Sequence, residues 1–177
     1  MIQSVDAGVN RLTNTQSSSQ DRSRRRQLSS VQSQVNQSQA IQVQGITRDA
    51  PYSVNRTAIE SSVNCLNNTI LGRSGGIIIL VSGTGSTGNE SFGAGPYTQL
   101  LPFLAPGFDV CLLDLPDRSQ GDAQVTSEYI AGNIIPLAKK SRTGKVSLIG
   151  HSQGNLNIQW ALNFWPSTRP FVHHYVS

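Results

Sequence analysis

"KVSLIGHSQGNLNIQWALNFWP", residues 145–166, is an apolar run joined to a helix-like pattern by Gly150, His151, Ser152, Gln153 and Gly154. A serine hydroxyl is a poor nucleophile, so hydrolytic chemistry needs it clear of its neighbours, beside a base and facing donors for the developing oxyanion. A tight strand-to-helix turn achieves this only if the residues two before and two after the serine are small, which is the reason for G-x-S-x-G. The plain alternative is a glycine-rich turn with an idle serine. The context argues against it, because a β-rich run ends at Gly150 and the helical spacing of Leu156, Trp160 and Leu162 to Phe164 begins beyond Gly154, with Pro166 ending it.

Working outward, "GGIIILVSG" (75–83) and "FDVCLLDLP" (108–116) are short apolar runs suited to strands covered on both faces of a parallel sheet, with "KVSLIG" as a third. "PYTQLLPFLAPG" (96–107) reads as a short helix closed by Pro106-Gly107. In "AQVTSEYIAGNIIPLAKKSRTG" the residues Val125, Tyr129, Ile130, Ile134 and Leu137 approximate one helical face. Pro136 interrupts that pattern and predicts a kink or an early end, and Gly144 suits the stop. "PFVHHYVS" (170–177) starts like one more strand. Strand, helix, strand, helix, strand, helix, strand predicts an α/β fold with a mainly parallel sheet and crossover helices.

The first part of the chain is a different material. Residues 1–55 are rich in Gln, Ser and Asn and poor in clustered apolar residues, which predicts a disordered basic tail ahead of a packed domain at 56–177. Six Arg against three Asp in residues 1–50 place +3 of the net charge of +4 there. "DRSRRRQ" (21–27) has no aromatic interleaving, so a solvated arm is expected rather than a nucleic-acid partner. There is no 18-residue apolar stretch to span a membrane, and "MIQSVDAGVNRL" lacks the apolar region of a signal peptide.

A second constellation, "SGTGSTG" (82–88), follows the strand "IIILV". It lacks both G-x-x-x-x-G-K-[ST] and G-x-G-x-x-G, so a phosphate cradle is the weaker reading and an oxyanion loop the better one. Taken in order, "ILVSGTGSTGNESF", "PGFDVCLLDLP", "DAQVTSEYIAGNI" and "GHSQGNLNIQWALNFWPSTR" resemble the fungal lipase B family over about residues 60–177. The resemblance implies an α/β-hydrolase acting on carboxylic esters, without metal or organic cofactor. It implies Ser152 as nucleophile, the backbone N–H of Gln153 as one oxyanion donor, and Thr84 as the source of further donors. Where the family's archetype has tryptophan before the nucleophile and no glycine two before it, this chain has His151 and Gly150, so the alcohol-side pocket is not carried over.

The resemblance also pairs Cys65 with Cys111 in a disulfide; two buried free thiols are the alternative. A bridge requires an oxidising compartment, and secretion is the expectation, in agreement with sequons at Asn36, Asn55, Asn67 and Asn89. The expected partner is a lipid or other ester, with peripheral contact at a lipid interface. Only 25 residues follow Ser152, with no Asp or Glu and with His173 and His174 inside the presumed last strand. Asp114 and Asp117 read as loop and surface carboxylates, and His151 as a pocket residue. The triad acid and base are therefore expected beyond this sequence, and the chain alone is expected to be inactive. The competing expectation is a non-catalytic relic or ester-binding protein that keeps the half-fold.

Overall fold

The computed structural model describes residues 22–29, 47–104 and 106–177. The chain divides into two compact units, Met1–Gly45 and Ile46–Ser177. In the first unit, residues 22–29 form an exposed helix, α1, that carries Arg22, Arg24, Arg25 and Arg26. The expected disordered tail otherwise falls on residues 1–21 and 30–46, which lie outside the described residues.

The second unit is built on a five-stranded sheet in the order β1-β3-β2-β4-β5. β2 (Ile77–Val81), β3 (Asp109–Leu113), β4 (Val146–Gly150) and β5 (Val172–Val176) are the four runs read from the sequence. β2 pairs in parallel with β3 and β4, and β4 pairs in parallel with β5. β1 (Val63–Cys65) is an unforeseen antiparallel strand on β3, and it places Cys65 opposite Cys111, to which it is disulfide-bonded. Closing a loop of that length is worth about 4 kcal/mol in the chain-entropy account.

Alternate residues of a strand face opposite sides, and the core divides accordingly. Ile77, Ile79, Val81, Cys111, Leu113, Val146 and Leu148 pack on one face. They meet Ile130, Ile134 and Leu137 of α5 (Ala123–Lys140) and Ile158 and Ala161 of α6 (Gln153–Phe164). Ile78, Leu80, Val110 and Leu112 pack on the other face with Phe92 of α3 (Gly88–Phe92) and with Leu101, just after α4 (Pro96–Leu100). Each large aliphatic side chain buried this way contributes about 1.5–3 kcal/mol.

Two expectations change. The early end at Pro136 does not occur, and α5 runs on to Lys140. Asn133, Ile134, Leu137 and Ala138 are buried on both sides of the proline, so packing outweighs the missing backbone bond. Asn133 also ties α5 to α2 (Arg56–Ser61) by donating to Ile59 O at 2.8 Å. On α6 the buried positions are Gly154, Asn157, Ile158 and Ala161, while Leu156 and Trp160 line an open groove of about 640 Å³. The packed domain begins before residue 56: the fully buried Glu128 carboxylate accepts from Ser53 N (2.7 Å) and Val54 N (2.8 Å), and Ala50 N donates to Phe164 O (2.8 Å). Among the described residues no helix is long and apolar enough to cross a membrane.

Candidate active site

Register brings two turns together. Val81 and Gly150 stand opposite each other at the ends of β2 and β4, so the segments that follow them leave the sheet side by side. His151 N donates to Val81 O at 3.0 Å, which holds the first residue of one turn to the last residue of the neighbouring strand. Ser152 then takes φ 51° and ψ −125°. A non-glycine residue there costs on the order of 1–3 kcal/mol and persists only where its surroundings impose it.

The surroundings do so through the two glycines. A Cβ on Gly154 would stand 2.7 Å from Ser82 O and closer still to Val81 O. A Cβ on Gly150 would stand 2.9 Å from the Asn155 backbone nitrogen and collide with the Asn155 side chain. Helix α6 can therefore start directly against the end of β2, leaving Ser152 exposed at its N-cap. Gln153 is the first residue of α6, so its N–H has no acceptor within the helix and is free to face a ligand.

The loop after β2 meets that serine. Ser82 is buried and Gly83 lies against the turn: a Cβ there would be 2.8 Å from Ser152 Cβ and 3.3 Å from Ser152 Oγ. The Thr84 hydroxyl donates to the Gln153 side-chain carbonyl, so the two residues expected to serve one oxyanion touch. Gly85 has φ +77°, and its N–H donates to Arg118 O at 2.7 Å. Arg118 Nη1 returns a bond to Gly85 O at 3.1 Å, and Nη2 pairs with Glu90 Oε1 at 2.8 Å.

The far end of the loop is equally tied. Thr87 and Glu90 form a reciprocal capping box at the start of α3, and Gly88 N donates to Asp114 Oδ1 at 2.8 Å. The Thr87 backbone bond, aided by the Arg118 charge, holds the Glu90 carboxyl below its usual range. Asp114, expected as a loop or surface carboxylate, lies in the loop after β3, where it is half-buried and also accepts from Asn64 Nδ2 at 2.6 Å. Asp117 is exposed, as expected.

Ser152, Thr84 and Gln153 thus converge, with Gly150 and Gly154 shaping the turn. His151 packs edge-on against Phe92, with ring centroids 6.3 Å apart. His173 and His174 are exposed on β5, their rings 4.0 Å apart. No imidazole or carboxylate among the described residues is hydrogen-bonded to Ser152 Oγ. Arg118 was not anticipated: it lies 33 residues from Gly85 in a turn whose composition signals only a turn.

A mainly parallel sheet with helices on both faces and a serine on a sharp turn between strand and helix defines the α/β-hydrolase fold. The lipase B of Pseudozyma antarctica is 37% identical over 97 residues, covering 54% of this chain and 27% of that protein. The crystal structure of Aspergillus fumigatus lipase B superposes with a TM-score of 0.62 at 32% identity, covering 73% of this chain and 30% of that one. No family model matches the sequence. The chain is lipase B-like over the part of those proteins that it spans, which is under a third of their length.

Proposed function

We propose that the site is the nucleophile and oxyanion half of a serine carboxylic-ester hydrolase. Ser152 Oγ attacks the ester carbonyl carbon; the carbonyl oxygen becomes an oxyanion held by the N–H groups of Thr84 and Gln153 and by the Thr84 hydroxyl, which swings from the Gln153 side chain. The oxyanion collapses, the bond between the carbonyl carbon and the alcohol oxygen breaks and an acyl-serine forms, a base carrying the Oγ proton to the departing alcohol. The observation that carries this reading is an exposed serine in a strained conformation pressed against Gly83. The lipid or ester substrate and the oxidising, secreted setting agree with the lipase B likeness and with the Cys65–Cys111 bridge.

The Oγ proton needs a base, and none is bonded to Ser152 among the described residues. The 177-residue chain alone is therefore expected to show negligible turnover of a short-chain p-nitrophenyl ester. Oxyanion donors without a full triad still accelerate the chemistry by about 10³–10⁴ over water. A fluorophosphonate is thus expected to phosphonylate Ser152 slowly and stoichiometrically, and Ser152→Ala to abolish labelling. The alternative is a non-catalytic protein that keeps the pocket and binds esters. A folded chain that stays unlabelled supports this second reading.

A further inference from the structure

We propose that Arg118 is the positioning residue of the oxyanion loop, a role that rests on the reading of Ser152 and Thr84 given above. After β3 the chain makes three successive left-handed residues, Asp117 (φ 47°), Arg118 (φ 52°) and Ser119 (φ 59°), none of them glycine. Each costs on the order of 1 kcal/mol or more, and strain of this kind gathers where a site needs it. Ser119 is buried, which pins the turn from below. The conformation lets one residue grip Gly85 twice: its carbonyl takes the Gly85 N–H at 2.7 Å, and its guanidinium donates to the Gly85 carbonyl at 3.1 Å.

Those two groups belong to the peptide units on either side of Gly85. Fixing the first sets the plane that follows Thr84, and fixing the second stops the glycine from flipping. The other guanidinium nitrogen, on Glu90, anchors the grip to α3. An oxyanion donor works only if it is held in place before the charge develops, and a G-T-G loop is not stiff by itself. The Arg118 and Glu90 side chains are 52% and 47% exposed, so their pairing adds little to overall stability. Its effect falls on the geometry of Thr84.

The test is the rate of Ser152 phosphonylation in the full chain, with thermal unfolding recorded for each variant. Arg118→Met is expected to slow labelling about tenfold, less than outright deletion of a donor, while leaving the unfolding midpoint unchanged. Arg118→Lys, with one compact ammonium in place of a fork, is expected to recover part of that rate, which a merely structural role does not predict. If Arg118→Met does not fold, Glu90→Gln is the second variant, with labelling slowed about two- to threefold. Labelling of folded Arg118→Met or Glu90→Gln at the wild-type rate overturns the positioning role and leaves the nucleophile intact. A folded wild-type chain unlabelled at Ser152 overturns the nucleophile, and this role with it.

Discussion

The turn after β4 and the loop after β2 face each other but are held by different means. The first is shaped by backbone sterics: Gly150 and Gly154 admit neighbours that any side chain would displace, and Ser152 is left strained and exposed. The second is shaped by polar side chains from elsewhere, with Arg118 on Gly85 and Asp114 on Gly88. Close packing tolerates little change, whereas hydrogen-bonded bracing gives way locally and cheaply. The serine is therefore expected to be all-or-none with respect to substitution around it, and the loop after β2 adjustable.

Reduction of the Cys65–Cys111 bridge is the outer control, since the bridge joins β1 to β3 and lies outside both turns. Urea denaturation with and without reductant is expected to show a loss of about 4 kcal/mol, with the rate of Ser152 labelling unchanged in the molecules still folded. Equal stability in both conditions contradicts this. Gly154→Ala comes next, at about 3 kcal/mol or failure to fold, because its Cβ would meet two backbone carbonyls at the end of β2 that cannot give way.

Gly83→Ala sharpens the contrast, because its Cβ would meet Ser152 Cβ at 2.8 Å from the adjustable side. The loop is expected to yield, costing about 1–2 kcal/mol in denaturation but slowing Ser152 labelling more than Arg118→Met does. A loss as large as that of Gly154→Ala would erase the distinction between the two regions.

The smallest effect concerns only the end of α6. Tyr52 packs on Trp165 with ring centroids 5.4 Å apart, and burial, together with the carboxylates of Asp49 and Glu128, pushes its phenol up to about 12. A raised folded-state value means stability that is complete below pH 10, the usual phenol value, and lost as pH climbs towards 12. Tyr52 is 43% exposed, so the loss is discounted to about 1 kcal/mol. Tyr52→Phe is expected to flatten that part of the profile in denaturation from pH 9 to 12; an unchanged slope contradicts it.

What the sequence disclosed follows the same division. Strands β2 to β5 and the elbow were legible because unbroken apolar runs and paired glycines are local signals. β1 and α2 were not, being three and six residues long with no periodicity to read. Leu156 and Trp160 have helical spacing, yet α6 buries Ile158 and Ala161 instead, since spacing names a face without saying which one meets the sheet. Arg118 on Gly85 and Glu128 on residues 53 and 54 join positions 33 to 75 residues apart, and only the folded register brings them together.

We propose that the Ser152 oxygen and the N–H groups of Thr84 and Gln153 converge on one oxyanion, and the expected effects on Ser152 labelling depend on it. Amide spectra of the chain before and after phosphonylation of Ser152 test it most directly. Marked downfield shifts of the Thr84 and Gln153 amide protons are expected as they bond the phosphonyl oxygen. A phosphonylated Ser152 with both amides unmoved would contradict it.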